Sequence, residues 1–245
     1  MSEDVKLMPT TRIPIKGISP LVIVCGDPFR AEYIASKLDS SEEVAYSREY
    51  RTFNGKYKGT DVTITSHGVG APGAAVCFEE LIKAGAKVII RVGTAGSYTK
   101  DLPPGSLIIA SSAVRADGLT KQMVPDGVPA VGDYRVIQAL NDAAEKREVI
   151  FDTGMIVTLD AFYAGPLEFP HKLYKDSGAL GAEMEISALY TIAQLRGILA
   201  GGIVALDGYA YGDMDNYDPH KDFVAQAIEE EINIALEALV SVSIK

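Results

Sequence analysis

The chain is short of cysteine, of cationic residues and of long apolar runs. Its two cysteines, Cys25 and Cys77, sit in the apolar stretches LVIVC and AAVCF. They read as small buried hydrophobes, which argues against a disulfide framework, and the few His and Cys lack the spacing of metal ligands. Such usage fits a reducing compartment, so a cytoplasmic location is expected. Lys and Arg number 23 against 33 Asp and Glu, a net charge of −10, and no stretch gathers the cations into a basic stripe. This argues against a nucleic-acid polymer as partner. No segment approaches the ~20 apolar residues of a membrane span. Residues 1–17 have no apolar core of signal-peptide length, so neither a membrane partner nor a targeting segment is expected. What the chain has is 245 residues, 47 % of them hydrophobic, and 23 glycines. A chain of that size buries roughly 70 % of its unfolded surface, enough for one packed domain over residues 1–245.

Short runs rich in Val and Ile recur at 21–24, 62–65, 87–92, 106–114, 150–158 and 198–206. Continuous apolar runs of this length mark strands covered on both faces. Between them, helical spacing spans 28–38, with Asp27 as cap and Pro28 at the first helical position. Helical spacing also covers 72–84, 133–146 and 184–196. A last helix over 222–240 carries Val224, Ile228, Ile232, Leu236 and Leu239 in one stripe. Alternation of strand and helix predicts an α/β fold with a parallel or mixed sheet, whose carboxyl-end loops are open to a ligand.

Three of those loops carry the chemistry. GVGAPG at 68–73 fits the G-x-G-x-x-G dinucleotide pattern between a strand and a helix. Yet some 60 residues precede it, and the acid that should hold a ribose hydroxyl about 20 residues on is missing, with Arg91 near that place. A tight strand-to-helix turn is the plainer reading. GTAGS at 93–97 and GDPFR at 26–30 likewise follow strands. Together the loops offer backbone N–H groups with Arg30 and Arg91, a pattern suited to a compact anion such as phosphate.

In order and spacing, GDPFR (26–30), SREYRTFNGKYKG (47–59), SHGVGAPGAAVCFEEL (66–81), GAKVIIRVGTAGS (85–97), DAFYAG (160–165), GAEMEISAL (181–189) and IVALDG (203–208) resemble the nucleoside phosphorylase family. That family contains the trimer-of-dimers purine nucleoside phosphorylases, the uridine phosphorylases, and the methylthioadenosine phosphorylases and nucleosidases. The resemblance implies a single domain with a mixed, partly barrel-like sheet flanked by helices. It implies phosphorolysis of purine nucleosides, inosine or guanosine foremost, with inorganic phosphate as co-substrate and no cofactor. Phosphate would be held by Gly26, Arg30, Arg91 and Thr94, and by Arg48 from a neighbouring subunit. The minimal unit would then be a homodimer, and the assembly a homohexamer. Glu185 would bind the ribose hydroxyls with Met184 against the sugar, and Phe162 and Tyr163 would stack beside the base. Asp207 would be the catalytic acid that donates a proton to N7 of the leaving purine. Uridine phosphorolysis, or cleavage of methylthioadenosine by phosphate or water, are the alternatives, and a nucleoside-binding protein without catalysis is a further one.

The chain also departs from the family pattern. Its histidines are His67, His171 and His220, so none stands near the N-terminus, where relatives reach the ribose 5′-hydroxyl of the next subunit. No arginine follows Asp207 between Gly208 and Asp222, where broad-range relatives carry one. That absence and the LDG motif lean toward 6-oxopurines. Gly73 replaces the family's usual serine. His67, ahead of GVG, reads as a structural histidine.

Overall fold

A computed structural model of the chain describes residues 6–211 and 217–244. In chain order its elements are β1 (Leu21–Cys25), α1 (Pro28–Ala35), β2 (Ser40–Ser47), β3 (Tyr50–Tyr57), β4 (Thr60–Ser66), α2 (Ala71–Ala84), β5 (Val88–Ser97), β6 (Leu107–Arg115), α3 (Gly118–Met123), β7 (Ala130–Val131), α4 (Tyr134–Ala144), β8 (Phe151–Thr158), α5 (His171–Asp176), β9 (Gly181–Glu183), α6 (Ile186–Arg196), β10 (Leu199–Tyr209) and α7 (Asp222–Ser241). All ten strands form one mixed sheet in the order β10-β6-β8-β9-β5-β1-β4-β3-β2, with β7 on β6. Because β10 also pairs with β5, five strands close into a circuit and the other four continue as an open wing. The partly barrel-like sheet that the family resemblance implies is therefore present.

Alternation along the central strands explains their continuous apolar runs. Val22, Val24 and Ile89 pack with Phe78, Leu81, Leu189 and Ile192 of α2 and α6. Ile23, Val88, Ile90 and Val92 pack on the other face with Ile34, Leu140, Leu236 and Leu239 of α1, α4 and α7. Each such side chain contributes about 1.5–3 kcal/mol by leaving water. Asp27 caps α1 by accepting from the Phe29 amide at 2.9 Å, as its position before Pro28 predicts.

The elements without a sequence prediction, β2, β3, β7, β9, α3 and α5, are short or polar. Strand β2, SSEEVAYS, is exposed along most of its length and is held by antiparallel pairing to β3, not by an apolar pattern. No helix among the described residues is long and apolar enough to cross a membrane.

Candidate active site

Parallel pairing gathers the strand ends. Cys25 lies opposite Ser66, Val24 opposite Arg91, and Ala205 opposite Thr94, so the loops after β1 and β4 and the outer parts of β5 and β10 share one edge. There a cavity of about 790 Å³ opens, lined by Gly26, Arg30, Arg91 and Thr94 at one end and by Phe162, Met184, Glu185 and Asp207 beyond. Eight of the ten sequence-predicted positions thus share one concave site. Arg48 and Tyr163 do not line it. Arg48 is exposed at the β2–β3 turn, with φ +57°, while its neighbour Glu49 lines the cavity. Tyr163 is 77 % exposed and meets Phe162 edge to face at 5.1 Å.

At the cationic end, Arg91 is buried with two acids on one guanidinium. Its Nη2 lies 3.1 Å from Glu183 Oε2 and donates to Glu185 Oε2. The guanidinium folds back so closely that a Cβ on Gly93 would stand 1.7 Å from Arg91 Nη1. Glycine at 93 is a steric requirement for this arginine. At Gly68, φ is +76°, and its N–H donates to Gly26 O at 2.9 Å, tying the first two glycine loops together.

The Glu-Met-Glu run divides its labour. Glu183 serves α6, accepting from the Glu185 and Ile186 amides at 2.7 and 2.9 Å and from the Thr158 hydroxyl at 2.5 Å. It satisfies donors that a helix N-terminus leaves open. Glu185, relieved of capping, accepts from the Gly70 amide at 2.5 Å and faces the cavity. Burial alone would push Glu185 up, but Arg91 and the Gly70 amide outweigh it and hold the carboxyl below its ordinary range. Burial and the Glu185 charge push Glu183 the other way. One buried cation cannot favour both acids equally, and Glu185 is the ionised acceptor facing the cavity.

Asp207 stands on β10, where its register with β5 shifts between Leu206 and Gly208. Burial pushes its carboxyl above the usual aspartate value, while the Tyr217 and Thr94 hydroxyls and nearby Arg30 pull it back. Tyr217, which no sequence signal singled out, donates to Asp207 Oδ2 at 2.7 Å. Its ring lies 6.0 Å from that of Phe162, so the ring beside Phe162 within the cavity lining is Tyr217, and Tyr163 stands outside. Tyr217 is ten residues beyond Asp207, in the stretch without arginine; residues 212–216 of that stretch lie outside the described residues. His67 is fully buried against Phe78 and does not line the cavity. Its Nδ1 meets Gly68 O at 2.9 Å, its Nε2 has no partner among the described residues, and burial lowers it to about 4, so it is neutral.

A model of the phosphorylase superfamily matches residues 20–241. The chain belongs to that superfamily. Among its phosphorylase relatives, purine nucleoside phosphorylase of Plasmodium falciparum is 39 % identical over 241 residues, 96 % of either chain. Uridine phosphorylase of Thermococcus kodakarensis is 39 % identical over 201 residues, covering 77 % of this chain and 73 % of that one. The crystal structure of purine nucleoside phosphorylase from Toxoplasma gondii in complex with immucillin-H superposes with a TM-score of 0.91 at 36 % identity, covering 98 % of this chain and 97 % of that chain. The phosphorylase fold thus accounts for the closed strand circuit as well as the loop motifs.

Proposed function

We propose that this phosphorylase cleaves purine nucleosides, inosine and guanosine foremost, with inorganic phosphate, giving free base and ribose 1-phosphate. The observation that carries the purine reading is Asp207, half-buried in the cavity with its carboxyl raised. In the forward reaction a phosphate oxygen forms a bond to C1′ as the C1′–N9 bond breaks, and the electron pair leaves with the base. Asp207 donates its proton to N7, so the base departs neutral. The reverse reaction returns the proton to Asp207. Gly26, Arg30, Arg91 and Thr94 hold the phosphate, forked guanidinium groups suiting its oxygens. Glu185, ionised, accepts from the ribose hydroxyls, and its charge stabilises the cation-like sugar of the transition state. Inorganic phosphate is the co-substrate, and this chemistry requires no cofactor.

Arg48 supports a shared site: it is exposed at a turn whose next residue, Glu49, reaches the cavity of its own chain. We take it to serve the neighbouring subunit in a homodimer, three of which would build a hexamer. The free, buried cysteines support a reducing compartment such as the cytoplasm.

The decisive assay follows inosine, guanosine, adenosine, methylthioadenosine and uridine with and without phosphate. Purine turnover that requires phosphate is expected, and Asp207→Ala should lose about 10²-fold or more in kcat. Wild-type turnover by that variant, or faster cleavage of uridine than of any purine nucleoside, would overturn the reading. Turnover without phosphate would indicate a nucleosidase.

A further inference from the structure

Helix α7 carries a buried acid for which the chemistry above has no use. Glu231 has no solvent exposure and shares the buried side of the helix with Ala227, Ile232, Ala235 and Leu236. A carboxyl in such company is unfavourable unless polar groups compensate, so its neighbours indicate its role. Those neighbours are the rear of the cavity's cationic end. From α1, Arg30 Nη1 stands 3.9 Å from Glu231 Oε1. From β5, the Gly93 amide lies 3.4 Å from Oε2, and Arg91 faces the same carboxyl. From β10 comes the Ala205 amide, and from β1 the Cys25 thiol. Oε1 has no hydrogen-bond partner among the described residues. Arg30 and Gly93 also line the cavity, so they have the cavity on one side and Glu231 on the other.

We propose that Glu231 is a positioning residue of the phosphate site, holding Arg30 and the Gly93 amide from behind and, in alkaline solution where it is otherwise ionised, taking up a proton when the phosphate dianion engages Arg30. The inference rests on the phosphorylase reading. Two anions flanking one guanidinium in a buried site repel each other, so an anion on the cavity side favours the neutral acid behind it. Burial already raises Glu231 to about 8, against the pull of Arg30 and Arg91. Cys25, pushed up to about 12, stays protonated throughout this range. The proton comes from buffer and bonds to the Glu231 carboxylate; no covalent bond to phosphate forms or breaks. Above about pH 8 the phosphate-free protein holds Glu231 ionised, so binding must draw in a proton and affinity falls as pH rises.

Calorimetric titration of the full chain with inorganic phosphate at about pH 8.5, in buffers of different ionisation enthalpy, tests this directly. Net proton uptake on binding is expected, with Kd rising about fivefold between pH 8 and pH 9. Glu231→Gln, close in shape and uncharged, should show no uptake and a flat Kd over that interval. In turnover, KM for phosphate and its pH profile should move more than kcat. Absence of proton uptake by the wild type, or wild-type pH dependence in Glu231→Gln, would overturn the proposal. If circular dichroism shows that the variant does not fold, the wild-type titration alone decides. Phosphate binding without proton uptake sinks only the role of Glu231. Failure of the wild type to bind phosphate at any pH removes the phosphorylase reading, and this inference with it.

Discussion

In the proposed reaction Asp207 must hold a proton when the base departs and release it readily once the C1′–N9 bond is breaking. Burial supplies the first property by raising the carboxyl, and the Tyr217 hydroxyl tempers it by donating to Oδ2. Burial pushes the Tyr217 phenol far above its ordinary value, so at working pH it keeps the proton it donates in this contact. It favours the carboxylate, as the Thr94 hydroxyl also does. Tyr217→Phe keeps the ring beside Phe162 and removes the donor. Its loss should raise the Asp207 pKa, moving the alkaline limb of kcat upward by about one pH unit. A pH–rate profile on inosine measures this, and an unmoved or lowered limb would rule out the role. Neither Tyr217 nor Glu231 is legible in the sequence. A tyrosine among polar loop residues, and an acid within a run of three on a helix, carry no local mark of the groups they meet.

At the scale of elements, the site depends on where strands stop. Strands β1, β4, β5 and β10 could be read from their β-branched runs because helices cover both faces of the sheet, and residues of the following glycine loops line the cavity. The path of Arg91 is a consequence of β5 itself: the guanidinium folds over Gly93, where a Cβ would lie 1.7 Å from Nη1. Gly93→Ala should therefore displace Arg91 and raise KM for phosphate by about tenfold or more, the loss of a charge-assisted hydrogen bond. An unchanged KM, with Arg91 unmoved in a crystal structure of the variant, would show the contact to be dispensable. The Glu-Met-Glu run shows how far local reasoning extends. Two acids at a helix start suggest a helix-dipole preference, and Glu183 does serve the helix. Only the packed structure reveals that Glu183 frees Glu185 to accept from Gly70 and Arg91.

At the scale of the molecule, the edge wing of β2 and β3 carries Arg48 on an exposed turn outside its own cavity. If that arginine completes a neighbour's site, two defective variants should complement each other. In mixed dimers of Arg48→Ala and Asp207→Ala, one of the two sites has both an intact Arg48 and an intact Asp207. Random reassociation of equal amounts should restore up to about a quarter of wild-type activity. Each variant alone is the control, and exchanged subunits without recovery would refute the shared site. The strand runs, the Asp27 cap and the glycine loops follow from the sequence alone, because each depends on spacing and residue type within a short stretch, whereas Asp207 on β10 was marked by the family resemblance. Closure of β10 onto β5, the exclusion of Tyr163 from the cavity lining, the contact of Tyr217 with Asp207 and the burial of Glu231 behind Arg30 were decided only by the tertiary structure. Those features depend on which surfaces meet across long chain separations, where burial and electrostatics act between residues that no local pattern relates.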